Sequence, residues 1–100
     1  MEPNVLIIDD EPQIRTLLQK ILALEGFHVA AAENIAGGID LLAGREFHVV
    51  VTDVKLPDGN GIDLTKRIKS EHPDVEIIVI TAFGQIKDGV EAMKNGAFDY

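Results

Sequence analysis

Three carboxylates and one hydroxyl stand in this sequence where they could meet and do chemistry. Each side chain directly follows a short, largely apolar run rich in β-branched residues, which is typical of a buried strand in a parallel sheet. The runs are residues 5–8, 49–52 and 77–80, and the side chains after them belong to Asp9, Asp10, Asp53 and Thr81. Because ligands bind outside the carboxyl ends of such strands, all four side chains are expected at one rim of the sheet.

The donor atoms expected at this rim suit a hard divalent cation. If the strands before Asp9, Asp53 and Thr81 are neighbours, about 4.8 Å apart, their side chains come within reach of one another. Two unit charges 4 Å apart repel by about 4 kcal/mol at an effective dielectric of 20, so three crowded carboxylates need a cation or a proton. An all-oxygen site favours Mg²⁺ or Mn²⁺. An aspartate beside the ion could then attack phosphorus and form an aspartyl phosphate, to which Thr81 could donate a hydrogen bond.

Each of these residues also has an ordinary structural interpretation. Asp9 or Asp10 could cap the first helix, Asp53 could open a turn, and Thr81 could simply end a strand. These interpretations are reasonable one at a time. They account poorly for the joint pattern, because all four residues fall at the same end of three core strands.

Strands and helices alternate along the chain, which predicts an α/β fold with a doubly wound parallel sheet and right-handed crossovers. Pro12 suits a first helical turn, Gly26 a stop, and Asn34 the cap of a second helix. Gly37 and Gly38 each cost about 1 kcal/mol relative to alanine, so that helix should be weak. Residues 56–61 carry turn chemistry. The predicted strands are 5–8, 27–31, 47–52 and 75–81, and the predicted helices are 12–25, 34–42, 62–71 and 85–95.

Composition limits the classes of protein that this chain can belong to. Its 100 residues make one domain, 1–100, with a formal net charge of −8. That charge disfavours nonspecific binding to nucleic acid and to anionic membranes. The sequence has no cysteine, which excludes disulfides and thiolate metal sites. No signal peptide or membrane-spanning run is visible, so the cytoplasm is the expected location.

The motifs at the rim resemble those of the receiver domain of two-component response regulators, and the likeness covers the whole chain. Its closing segments look most like receivers of sigma-54-dependent transcription activators. The resemblance implies the flavodoxin-like receiver fold, with strand order 2-1-3-4-5. The motifs that carry it are Asp9-Asp10, residues 53–61 (DVKLPDGNG), Thr81-Ala82 and residues 95–100 (NGAFDY).

The resemblance implies a role for each matched residue of the acidic cluster. Asp53 matches the phosphoacceptor, which takes a phosphoryl group from a phosphohistidine on a histidine kinase. Asp10, Asp53 and the backbone carbonyl of Lys55 match the direct Mg²⁺ ligands, and Asp9 would act through metal-bound water. The Lys55 side chain would lie where it could affect an attacking water.

The same resemblance implies a switch that reads the phosphoryl group. The Thr81 hydroxyl would move toward it, Ala82 would be the small residue beside it, and Tyr100 would be the aromatic that turns inward. The expected function is a phosphoacceptor signalling switch that changes the interactions of an output domain, such as a DNA-binding one. Such a domain is not an enzyme beyond its own phosphorylation and dephosphorylation.

The family's motif continues past Tyr100 with a lysine that pairs with the phosphoryl group. The sequence is therefore expected to be a C-terminally truncated receiver, with strand five and helix five largely missing. An uncovered fourth strand would be an apolar edge, which predicts self-association or strand exchange.

Two other functions remain open at this point. The chain could be a non-phosphorylated interaction or dimerisation module that uses the same fold. A Mg²⁺-dependent phosphatase or phosphotransferase with an aspartyl nucleophile is a weaker alternative, because nothing in the sequence resembles a substrate-binding cap.

Overall fold

The computed structural model describes residues 4–80, in which four parallel strands form the central sheet and three helices connect them. A short antiparallel hairpin lies between the third strand and the third helix. The strands are β1 (Asn4–Ile8), β2 (His28–Ala32), β3 (Val49–Asp53), β4 (Lys55–Leu56), β5 (Gly59–Asn60) and β6 (Glu76–Ile80), and the helices are α1 (Pro12–Leu24), α2 (Ile35–Gly44) and α3 (Gly61–Glu71).

The sheet has the strand order β2-β1-β3-β6, and all three pairings are parallel. This confirms the first four positions of the order 2-1-3-4-5, with β6 as the fourth long strand. The register pairs Ile8 with Thr52 and Asp53 with Ile80, so the strands end at nearly the same level. The segment expected to lead into a fifth strand, and the predicted helix at 85–95, lie outside the described residues.

Strand β1 buries side chains on both faces of the sheet, which explains why its sequence is apolar without alternation. On one face, Leu6, Val50 and Ile77 are fully buried with residues of α2 and α3. On the other face, Ile7 of β1 is fully buried as well, whereas Val51 of β3 is half-buried within residues 4–80. The two-sided burial of β1 is typical of a strand inside a parallel sheet.

Helix α1 starts at Pro12 as predicted, and Gly26 follows its end with a φ of 94°, a conformation that glycine adopts without strain. Its apolar residues are not all buried, however. Leu17 and Ile21 are 57% and 48% exposed. The helix lies mainly against β1 and β2. Helical spacing therefore predicted the helix correctly, but it did not predict how much of the apolar face is buried within residues 4–80.

Helix α2 has both the cap and the glycines that the sequence suggested. The Asn34 Oδ1 atom accepts a hydrogen bond of 2.8 Å from the Gly37 N–H, which confirms the predicted cap. Gly38 is buried, and a Cβ atom there would lie 2.5 Å from Cδ1 of Ile8. The glycine therefore lets α2 pack closely on β1. The weakness expected of this helix stays a prediction.

The segment predicted as a turn is the β4–β5 hairpin, in which Lys55 pairs with Asn60 and Pro57-Asp58 forms the connection. Helix α3 then begins at Gly61, one residue before the predicted start. Asn60 caps it, since its Oδ1 atom accepts a 2.6 Å hydrogen bond from the Ile62 N–H. Within residues 4–80, no helix is both long and apolar enough to cross a membrane.

Candidate functional site

The carboxylates of Asp9, Asp10 and Asp53 converge at the carboxyl ends of β1 and β3. Each offers an oxygen, and these oxygens all lie within 4.8 Å of one another. Asp9 is buried, Asp53 is half-buried and Asp10 is exposed, so the cluster runs from the core to the surface. The sequence predicted this convergence on the condition that the two strands are neighbours. The structure meets that condition, because β1 and β3 pair in parallel. Thr81, the fourth predicted member, lies outside the described residues.

Asp9 is held in place by hydrogen bonds on both its backbone and its side chain. Its N–H donates to the carbonyl of Ala32 on β2, at 3.1 Å, and its Oδ1 atom accepts from the Glu11 N–H at 2.9 Å. Nη1 of Arg15 on α1 donates to the Asp9 carbonyl oxygen at 2.8 Å. The α1 cap residue is Glu11, without a side-chain cap bond, so neither Asp9 nor Asp10 caps this helix.

The backbone around Asp53 is held by a hydrogen bond within β3 and by contacts with α3. The hydroxyl of Thr52, fully buried, donates to the Asp53 carbonyl oxygen at 3.0 Å, and the Gly61 N–H donates to the Val54 carbonyl oxygen at 2.7 Å. Gly61 lies so close that a Cβ atom there would overlap the carbonyl oxygen of Asp53. The first residue of α3 therefore packs directly against the backbone that carries the Asp53 side chain.

The surroundings of Asp53 disfavour its charged form. Partial burial raises the pKa of the Asp53 carboxyl, and the negative charge of Asp9 raises this pKa further, with a smaller contribution from Asp10. Backbone hydrogen bonds from Lys55 and Val54 lower it, but the net direction is upward from 3.8. The Lys55 N–H lies 3.4 Å from Asp53 Oδ1.

Without a bound cation, Asp53→Asn should therefore raise the melting temperature at neutral pH. A raised folded-state pKa means that the folded state binds more protons than the unfolded state. Stability is then lost as pH rises from 3.8 through the folded-state pKa. The gain from Asn should grow as pH rises above 3.8 and should vanish below it, as thermal unfolding in chelator would show. Asp40→Asn, on the exposed side of α2, is the control; a gain independent of pH would contradict this account.

The residues of this cluster fit a hard divalent cation. All the side-chain donors are carboxylate oxygens, which Mg²⁺ and Ca²⁺ prefer. Their mutual proximity and the raised pKa of Asp53 both indicate negative charge that a cation would neutralise. The cluster also opens to the surface at Asp10, which leaves access for a ligand.

A comparison with protein-family models matches residues 5–100 to the response regulator receiver domain. The chain belongs to the response regulator receiver domain family. Phosphorylation and Mg²⁺ binding are typical of this family. The receiver fold and the family resemblance are thus both confirmed.

Relatives of this receiver domain cover nearly all of its length. It is 41% identical over 97 residues to the response regulator protein PilR of Pseudomonas aeruginosa, in a match that spans 97% of this chain and 22% of PilR. The chain thus spans about a fifth of that relative. The expected likeness to receivers of sigma-54-dependent activators is confirmed at the level of family resemblance.

Two solved response regulator structures similar to this chain contain divalent cations. A response regulator from Burkholderia pseudomallei, solved with a phosphorylated aspartic acid, a calcium ion and citrate, is 29% identical with a TM-score of 0.93; the match covers 99% of this chain and 58% of that one. The response regulator TrrA of Thermotoga maritima, solved with Mg²⁺-BeF, is 28% identical with a TM-score of 0.88, over 100% of this chain and 84% of that one.

The structure brings together part of the predicted site and adds residues that the sequence did not single out. Asp9, Asp10 and Asp53 meet, and the Lys55 backbone lies beside Asp53. Thr81, Ala82 and Tyr100 lie outside the described residues, so their roles stay predictions. Sequence reasoning missed the contacts of Arg15 and Gly61. For Asp58 it favoured a turn role over a reach toward the rim, and it did not predict the contact with α2. Motif spacing carries no signal for such contacts, since they depend on how helices pack on the sheet.

Proposed function

We propose that this receiver domain is a phosphoacceptor signalling switch in a two-component system. Asp53 accepts a phosphoryl group from the phosphohistidine of a histidine kinase, with Mg²⁺, or Mn²⁺, at the rim. The observation that carries this proposal is the convergence of three carboxylates at the ends of β1 and β3. Membership of the family and the Mg²⁺-BeF complex of TrrA support it.

In the proposed reaction, an Asp53 carboxylate oxygen attacks phosphorus as the bond from phosphorus to the imidazole nitrogen breaks. The electron pair of that bond leaves with the imidazole, and the product on this chain is an aspartyl phosphate. Asp10, Asp53 and the Lys55 carbonyl would hold the cation, with Asp9 acting through water. When bound, the cation supplies positive charge that offsets repulsion between the carboxylates and the phosphoryl oxygens.

The surroundings of Asp53 support its proposed role as the nucleophile. The buried Thr52 hydroxyl and the backbone of Gly61 hold its main chain in place, which orients the attacking oxygen. The half-buried position limits the water that could compete for phosphorus.

The switch that follows is also part of the proposal. Thr81 senses the phosphoryl group, Ala82 leaves room beside it, and Tyr100 turns inward as Thr81 moves. Phosphorylation then shifts the population between two conformations, which an output domain of the parent protein reads. We propose that residues 1–100 form one receiver domain that works in the cytoplasm and catalyses only its own phosphorylation and dephosphorylation.

Self-association of this chain is proposed as well. Within residues 4–80, β6 is the outer strand of the sheet next to β3, and its sequence is apolar. Such an edge recruits further strands when it is uncovered. Light scattering at high micromolar concentration tests this, and a strictly monomeric mass would contradict it.

A small-molecule phosphodonor tests the function directly. With acetyl phosphate and Mg²⁺, the chain should gain the mass of one phosphoryl group, stable in acid and labile in base. Asp53→Asn should abolish the gain, and chelation of the metal should suppress it. Asp40→Asn, which removes an exposed carboxylate of α2, should label like the unmodified chain. Undiminished labelling of Asp53→Asn would refute Asp53 as the acceptor.

A further inference from the structure

The carboxylate of Asp58 joins two elements that are distant in sequence. Oδ1 accepts a 2.8 Å hydrogen bond from the Ile35 N–H, and Oδ2 accepts a 3.0 Å hydrogen bond from the Ala36 N–H. Asp58 lies in the connection of the β4–β5 hairpin, whereas Ile35 and Ala36 begin α2. Both carboxylate oxygens thus tie the hairpin to the helix.

The two caps of α2 divide its first N–H groups between them. Asp58 accepts from Ile35 and Ala36, and Asn34 accepts from Gly37. The first turn of a helix leaves such groups without partners inside the helix, and its partial positive charge favours an anion. The two backbone hydrogen bonds lower the pKa of the Asp58 carboxyl from 3.8, so it is charged at neutral pH. The side-chain hydrogen bond of Asn34 to Gly37 lies within the helix terminus and does not link α2 to the hairpin.

The hairpin held in this way borders the phosphoacceptor. Lys55 pairs with Asn60 in its two strands, and the Lys55 N–H faces Asp53 Oδ1 at 3.4 Å. The hairpin also lies close against α2, because a Cβ atom at Gly59 would come within 2.7 Å of Cδ1 of Ile35. A shift of the hairpin relative to α2 would therefore move the Lys55 backbone relative to Asp53.

We propose that Asp58 is a positioning residue of the phosphoacceptor site, which anchors the β4–β5 hairpin to α2 and so holds the Lys55 backbone beside Asp53. The hydrogen bonds described above support the link between the hairpin and α2. The effect of this link on the site depends on the proposed function. Both carboxylate oxygens of Asp58 are engaged by α2, so its proposed role does not require contact with the phosphoryl group or the cation. It acts on cation affinity through the position of the Lys55 main chain.

Asp58→Ala and Asn34→Ala form a matched pair for the test. Both remove acceptors from the α2 terminus, and both should lower stability, but only Asp58→Ala frees the hairpin. Substituting a residue that orients a ligand typically weakens metal binding 10- to 100-fold. Asp58→Ala should therefore raise the Mg²⁺ dissociation constant about tenfold by calorimetry, whereas Asn34→Ala should change it less than about twofold.

Two further readouts separate positioning from a general loss of stability. In the absence of metal, amide hydrogen exchange at Lys55 and Asn60 should accelerate in Asp58→Ala and stay unchanged in Asn34→Ala. At saturating Mg²⁺, the labelling rate of Asp58→Ala should approach that of the unmodified chain, because the defect is in affinity.

Equal Mg²⁺ affinity and equal hairpin exchange in the two variants would overturn the proposal. So would an Asn34→Ala variant that loses as much affinity as Asp58→Ala. Failure of the unmodified chain to bind Mg²⁺ would refute the proposed function instead. In that case, exchange at Lys55 would still decide whether Asp58 anchors the hairpin.

Discussion

Replacing Gly61 with alanine should destabilise the receiver domain by about 3 kcal/mol, near the upper end of the usual range for overpacking. The added Cβ atom would overlap the carbonyl oxygen of Asp53, with the Thr52 hydroxyl oxygen at 3.1 Å. The obstructing atom belongs to the backbone of a central strand, so no side-chain rotation relieves the clash. Alanine's higher helix propensity, worth up to about 1 kcal/mol, is too small to compensate.

Urea denaturation measures this loss, and Gly44→Ala is its control. Gly44 is the last residue of α2, and a Cβ atom there would meet nothing within 4 Å. The control should therefore stay within about 0.5 kcal/mol of the unmodified chain, as is usual for unobstructed surface positions. A Gly61→Ala variant as stable as Gly44→Ala would show that α3 does not pack on the Asp53 backbone as described.

Binding of Mg²⁺ should stabilise the folded chain strongly. A ligand that binds only the folded state adds about 2.7 kcal/mol to the free energy of unfolding at a hundredfold excess over its dissociation constant. In a domain of this size, each 1 kcal/mol corresponds to about 4–8 °C, so the melting temperature should rise by about 10 °C or more. Asp10→Asn and Asp53→Asn should each lose most of this gain, because each removes a carboxylate of the cluster.

Thermal unfolding with and without Mg²⁺ checks this expectation, with Asp40→Asn as the control that keeps the full gain. Sodium chloride at matched ionic strength separates specific binding from general screening of the net charge of −8. A melting temperature indifferent to millimolar Mg²⁺ would contradict a formed cation site. An equal gain in Asp10→Asn would place the ion elsewhere on the molecule.

The convergence of Asp9 and Asp53 could be predicted from the sequence because it follows from parallel strands alone. Runs of β-branched residues mark strands that are buried on both faces, and the carboxyl ends of neighbouring parallel strands meet at one rim. The Asn34 cap was also predictable, because it depends on the residue type and on a partner three positions away.

The contacts that hold this rim could not be predicted in the same way. Asp58 reaches Ile35 across 23 positions, and the residue type alone indicates only a turn. The need for glycine at position 61 arises from how closely α3 approaches β3, which no local pattern encodes. For Leu17, spacing predicts a helical face but does not determine what covers it.

The location of the phosphoryl group tests the central claim most directly. After labelling with acetyl phosphate and Mg²⁺, hydroxylamine would convert an aspartyl phosphate into a stable hydroxamate, which peptide mass mapping can assign to a residue. The modification is expected on Asp53 alone. A modification on Asp9, on Asp10 or on a histidine, with Asp53 unmodified, would contradict it.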